Sequence, residues 1–487
     1  MNCPKCHYDC PPDFGFCPKC GTALQQACAQ CGFQAPPDFA FCPQCGTPLA
    51  SAAPAAAPDV TAEDFEYAWK RVLDPATGSP VAHLLYDVKG ARAFHQGACP
   101  EPAEEEAGKG DVGVRALDKV TLAVELEGPT GYFPHLVAYN ATYPVPRHVV
   151  EAHGEAWTEP GNIVTNGPFR LEAWQRGESM ALVRNPEYHG QFRGNVQRVR
   201  LSLLLDPSAI SELYEADGLD TLVLWGFLPP EMDRARQRQA GEYVSVPWLL
   251  TWRVGFDVSR PPFDDPRMRR AFFALATDRE TLADVVLRGY VSPATGGFVS
   301  PGMPGYSAGI GLPYDPERAR QFLTEAGYPG GRSFPTVDSL VPHGREFLSE
   351  YLQAQWRESL GVEIPWESME WSLFLDRQHR ESPHIFLSGW LADYPDPDSL
   401  LRASPIRRHT GWQNAVYDGL VEEARRVMDQ EERMKLYGQA DRILVEEAAI
   451  VPLTYERLHL LVKPWVRRYP TSPIKYWFWK DVIIEPH

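Results

Sequence analysis

The sequence contains no apolar run approaching ~18 residues, so no helix is expected to cross a bilayer. Its first residues lack the charged, apolar and small-residue segments of a secretory leader, and a cytoplasmic, reducing location is the expectation. It has no Walker A loop and no His-Glu-x-x-His helix, and its 13 histidines are scattered, which leaves nucleotide hydrolysis and zinc proteolysis without residues to perform them. His148 and His153 are among the nearest in sequence, five positions apart, and Cys10 and Cys99 lack the basic surroundings of a catalytic thiol. A non-enzyme is expected. Positive charge is also short: 47 Lys and Arg face 64 Asp and Glu, for a formal net charge of −17. That balance argues against nucleic acid or an anionic membrane as the main partner.

Cysteine is scarce over most of the chain, and nine of the 10 lie in the first 45 positions. Cys3-x-x-Cys6 and Cys17-x-x-Cys20 recur 25 positions later as Cys28-x-x-Cys31 and Cys42-x-x-Cys45, with Pro12-Asp13-Phe14 returning as Pro37-Asp38-Phe39. Two two-cysteine knuckles make a tetrahedral thiolate cage, which suits zinc and, less often, iron. We expect two zinc ribbons, residues 1–25 and 26–50, holding two ions, one per ribbon. Each is too small for a core, so metal binding of roughly 10–16 kcal/mol would supply most of its folding free energy. Lys5 and Lys19 are outnumbered by nearby aspartates, which points to docking or regulation through protein contact and not to phosphate binding. Residues 51–59, rich in Ala and Pro, read as an extended tether.

Beyond the tether, helix and strand patterns alternate, which predicts an α/β fold. Ala62–Leu73 has helical spacing, with Phe65, Trp69 and Leu73 on one face and Thr61 positioned as N-cap. Thr121–Leu126 alternates as a strand. Asp265-Pro266 and Asp315-Pro316 are helix entry signals, for helices over Met268–Leu275 and Ala319–Ala326. Val445–Tyr455 changes from a helical to a strand-like pattern.

Five blocks, in order, carry a family resemblance: residues 60–80 (VTAEDFEYAWKRVLDPATGSP), 143–174 (YPVPRHVVEAHGEAWTEPGNIVTNGPFRLEAW), 260–282 (RPPFDDPRMRRAFFALATDRETL), 314–329 (YDPERARQFLTEAGYP) and 389–401 (GWLADYPDPDSLL). Together they resemble the family 5 extracellular solute-binding proteins, most closely the oligopeptide-binding components of ABC importers. The resemblance implies a two-lobed, cleft-closing fold of the periplasmic-binding-protein type. Lobe I would comprise 60–252 and 455–487 and lobe II 253–454, with an ABC permease as partner. It also implies that the first lobe lacks its usual opening segment. Another chain completes it, the lobe has readjusted, or the chain is a scaffold whose lobes serve protein interaction without transport.

The resemblance assigns Asp393 to the position that pairs with a peptide's amino terminus. The alternative for this residue is a turn cap ahead of Pro395-Asp396-Pro397. Trp390 and Tyr394 are candidates for lining side-chain pockets. At the carboxylate end Leu387 and Gln378 stand where the oligopeptide binders have arginines, which leaves Arg345 and Arg377 as the candidate cations.

Overall fold

The computed structural model describes residues 26–27, 31, 34–35, 59–97, 112–203, 206–474 and 476–487. The chain divides into two units, Met1–Val60 and Thr61–His487. Within the first, β1 (Gln26–Ala27) and β2 (Gln34–Ala35) pair antiparallel, with Gln26 opposite Ala35. This hairpin encloses Cys28-x-x-Cys31. Of the eight candidate ligands only Cys31 is among the described residues, so the two cages themselves lie outside them. A four-thiolate donor set at this spacing fits zinc.

The second unit opens with α1 (Ala62–Leu73), where the Asp64 carboxylate accepts the Thr61 backbone N–H at 2.8 Å. Ala68, Trp69 and Leu73 bury against the antiparallel hairpin β3 (Val114–Asp118) and β4 (Thr121–Val124). An antiparallel sheet of three strands follows: β5 (Phe169–Gln175), β6 (Ser179–Arg184) and β7 (Arg198–Ser202). No residue of these three strands is fully buried, so the sheet is only partly covered.

The main sheet has seven strands: β8 (Thr221–Val223), β9 (Tyr243–Phe256), β10 (Ser292–Pro293), β11 (Ser339–Pro342), β12 (Glu367–Met369), β13 (Ile385–Leu391) and β14 (Ile450–Val462). Their order is β10-β14-β9-β13-β11-β12, with β8 also on β14. Only β11 runs parallel to its neighbours, β12 and β13. The long central pair β9 and β14 is antiparallel and carries register shifts between Pro452 and Thr454 and between Tyr455 and Arg457. Alternate residues of β9, from Trp248 to Phe256, join one core with Leu348, Leu352, Trp356 and Leu360 of the helix Glu346–Leu360. A second core gathers Phe298 and Ile450 with Tyr437, Ala440 and Leu444 of the helix Gln430–Glu446. A small pair, β15 (Val466–Arg468) and β16 (Ile483–Ile484), closes the chain.

Both Asp-Pro entry signals are helix starts. The Asp265 carboxylate accepts the Arg267 N–H at 2.8 Å and that of Asp315 the Arg318 N–H at 3.0 Å. The first helix differs from expectation in kind, being α only over Pro266–Arg269 and π over Arg270–Leu275.

Candidate ligand-binding site

The site is built at the end of β13. Its first four residues, Ile385–Ser388, are buried, whereas Gly389, Trp390 and Leu391 keep exposed surface. The ladder to β9 runs one residue further, since the Ala392 N–H donates to the Leu249 carbonyl at 2.9 Å. Side chains alternate along an extended strand, so Gly389 and Leu391 share one face, and Asp393 follows in the bend beyond the strand. A Cβ on Gly389 would sit 3.0 Å from the Trp252 ring, and glycine here lets the indole lie on the strand.

Asp393 is half-buried. Its Oδ1 accepts the Tyr139 hydroxyl at 3.3 Å, and among the described residues no basic side chain comes within ion-pair distance. Burial pushes its carboxyl up to about 6, against a small downward pull from Tyr139. It does not cap the turn with its side chain. Its backbone N–H donates to Ser399 Oγ at 2.9 Å, while the Asp396 carboxylate receives the Asp398 N–H at 3.1 Å. The Trp390 indole donates to the Ser399 carbonyl at 3.2 Å and keeps some exposed surface.

Tyr394 requires a correction. It is 1% exposed, its ring stacks on Tyr132 at 5.6 Å, and its hydroxyl donates to Asp398 Oδ2 at 2.6 Å. No face remains for a ligand, because the ring packs on Tyr132 and the hydroxyl is taken up by Asp398. It belongs instead to a buried ionic network that the sequence reading missed. Arg402 bridges Asp398 (2.7 Å), Asp87 (3.2 Å) and the Tyr132 hydroxyl (2.6 Å). Arg425 pairs with Asp87 at 2.9 Å, and Arg433 pairs with Asp396 at 2.7 Å. The network fixes the Pro395–Arg402 turn against the segment that carries Asp87 and Tyr132, and so holds Asp393 in place.

Arg377 is the second correction. Its guanidinium lies 3.7 Å from Asp338, which binds His384, the residue just before β13. Asp393 follows the other end of that strand, ~20 Å away at 3.3 Å per residue. Helix placement, invisible in the linear sequence, carries Arg377 to the wrong end. Leu387 is fully buried in the core and supplies no substitute cation.

Arg345 is different. Its guanidinium stands over Trp225 at 4.8 Å, Trp252 at 4.7 Å and Phe347 at 5.9 Å. It lines a small concavity of about 60 Å³ together with Trp225, Phe347, Glu456, Arg457 and His459. Desolvation holds Arg345 below the ordinary arginine range, with the Glu456 charge opposing. Trp225 and Glu456 are site residues that sequence reasoning missed. Glu456 had a signal: it is the one carboxylate in a largely apolar strand from Ile450 to Val462.

A Gly305-x-Ser307-x-Gly309 string has the spacing of a nucleophile elbow, but it lies in a loop with neither the strand before nor the helix after that such an elbow needs. Among the described residues no group of three or more His, Cys, Asp or Glu could hold a metal, and no helix is long and apolar enough to cross a membrane.

Comparison with known proteins follows the same division of the chain. Residues 58–409 match the model of the bacterial extracellular solute-binding proteins, family 5 Middle, and residues 3–46 match the double zinc ribbon. The probable deoxycholate-binding periplasmic protein YgiS of Escherichia coli is 34% identical over 447 residues, covering 88% of this chain and 80% of that protein. The periplasmic oligopeptide-binding protein OppA of the same organism is 30% identical, covering 88% and 79%. The solved Escherichia coli murein tripeptide binding protein MppA superposes with a TM-score of 0.77 at 26% identity, over 88% of this chain and 84% of that one. These relatives are periplasmic by name, and the cytoplasmic expectation finds no support in them.

Proposed function

Since the chain belongs to the family 5 bacterial extracellular solute-binding proteins, we propose that it binds a short peptide in a cleft between two lobes and serves an ABC-type importer without catalysing a reaction. One observation carries this reading: Asp393 is an enclosed carboxylate with no cation beside it. An enclosed, unpaired carboxylate is costly and is expected where an incoming ammonium completes the pair. Arg345 would receive the far end of the ligand. From Gly389, beneath the ring on which Arg345 stands, to Asp393 is four residues, or ~13 Å of extended chain. With a hydrogen bond at each end, a ligand of about two or three extended residues spans that distance.

The lobe boundaries support a hinge. Thr251 and Tyr455, next to the two expected crossings, are direct partners in the β9–β14 ladder. Both crossings between 60–252 with 455–487 and 253–454 would therefore lie side by side, as cleft closure requires. We assign the ribbons, with one zinc each, to docking or regulation. The test is calorimetric titration of short peptides into the full chain and its Asp393→Asn variant. We expect binding to weaken by roughly 100-fold or more in the variant, the loss that follows from leaving an ammonium unpaired at ~3–5 kcal/mol. Equal affinity would refute the anchor.

Two observations favour other readings. YgiS is named for deoxycholate, and an arginine among aromatic rings also suits an anionic amphiphile. That ligand would leave Asp393 unused and bind the variant normally. The partly covered β5–β7 sheet borders a groove of about 780 Å³ that also reaches Val466, Trp479 and Ile484. A partly open sheet of this kind favours the scaffold reading, in which the second unit serves as an interaction surface.

A further inference from the structure

We infer that Glu456 makes the pocket around Arg345 selective for ligands carrying a cationic side chain next to their carboxylate. The inference rests on the peptide-binding reading and adds a ligand class to it. Five charged or titratable features of the neighbourhood can be followed to their partners, and only two remain available. His459 is committed through Nδ1 to the Tyr243 hydroxyl at 2.6 Å and through Nε2 to the Tyr290 carbonyl at 2.7 Å. Arg457 donates to Ser245 Oγ at 2.9 Å and to its carbonyl at 3.3 Å. The Tyr290 hydroxyl donates to Asp233 at 2.7 Å. Glu456 and Arg345 are left. They line the same concavity, and among the described residues neither makes an ion pair within 4.0 Å. Burial raises the Glu456 carboxyl above the ordinary glutamate range, opposed by the Arg345 charge and by the nearby Thr454 hydroxyl, which by distance and angle makes no hydrogen bond. Both side chains keep accessible surface while being enclosed by protein, the position of groups on a pocket floor.

The chemistry of such a floor is selective by sign. A ligand carboxylate drawn to Arg345 also meets Glu456, and the like charge penalises it. A ligand that brings a cation beside its carboxylate satisfies both groups and removes the penalty. Trp225 is 50% exposed, so its indole offers surface on which an ammonium or guanidinium stem can lie. A purely anionic end is disfavoured, a neutral side chain is tolerated, and a lysine- or arginine-like one is preferred.

The test is calorimetric titration of Ala-Ala-Lys, Ala-Ala-Ala and Ala-Ala-Glu into the full chain and into its Glu456→Gln and Asp393→Asn variants. The unaltered protein should prefer Ala-Ala-Lys to Ala-Ala-Glu by about 100-fold, one attraction replacing one repulsion near a partly desolvated carboxylate. Glu456→Gln should weaken Ala-Ala-Lys and tighten Ala-Ala-Glu. Opposed changes of this kind cannot come from misfolding, which weakens both. Asp393→Asn should weaken all three alike and so reports on the anchor separately. A Glu456→Gln protein that keeps the lysine preference, or an unaltered protein that shows none, overturns the inference while leaving the anchor standing. Failure of all three peptides to bind the unaltered protein removes both.

Discussion

At the scale of single residues, the site turns on carboxylates held in unusual surroundings. Burial raises Asp393 to about 6, above the ordinary aspartate range, so in the ligand-free protein the ionised form is present above that pH and lost below it. Ammonium binding requires the ionised form. Affinity should therefore rise with pH through about 6 and then level off, being roughly tenfold weaker one unit below that point. The same titration in Asp393→Asn should be flat over this range. An identical slope in the variant would place the titrating group elsewhere. Asp393 was singled out because it sits within a long matched block. Glu456 was legible in principle, since a strand that is apolar on both sides does not admit a carboxylate without a use for it. Arg377 and Tyr394 were misplaced for a shared reason: a position one residue along a helix or strand says nothing about which end or face receives the side chain.

At the scale of elements, the turn after β13 is fixed by ions. Asp398 is completely buried. Desolvation would raise its carboxyl, but the Arg402 charge and hydrogen bonds from Arg402, Tyr394 and Tyr437 outweigh that and hold it below the ordinary range. A lowered carboxyl contributes stability above its unfolded pKa of about 3.9, and that contribution is lost as pH falls through the folded value. Removing the charge strands Arg402 in a buried site. Asp398→Ala should destabilise the second unit by about 3–5 kcal/mol in urea unfolding, whereas the exposed pair Lys435–Glu431 should contribute under about 1 kcal/mol. A cost near zero for Asp398→Ala would mean the network is not what orders the turn. Much of the element structure was legible, because caps and prolines act locally: Asp265, Asp315 and the Thr61–Asp64 pair all do what their spacing implies. The network was not, because Asp87 and Arg402 meet across 315 positions of sequence.

At the scale of the whole molecule, two units of different physical origin share one chain. The first matches the double zinc ribbon, for which we propose metal-dependent folding, and the second rests on the cores around β9, β13 and β14. A strong chelator should therefore strip zinc from the first unit and abolish its structure while the second still binds peptide. The check is metal content alongside calorimetry, and loss of binding with the metal would show that the ribbons take part in the site. The β5–β7 sheet is only partly covered, and the chain spans about four fifths of the relatives it matches. Its location was not legible, since strands with alternating sequence read the same whether or not a partner covers them.

The most direct measurement is thermal unfolding of the zinc-loaded full chain with and without a basic tripeptide such as Ala-Ala-Lys, repeated with Asp393→Asn. At a hundred times its dissociation constant the ligand should add ~2.7 kcal/mol to the second unit and raise its transition accordingly, with the shift lost in the variant. A cooperative transition that no peptide moves, or one that moves equally in both proteins, would contradict the assignment of Asp393 as the ammonium anchor of a peptide-binding cleft.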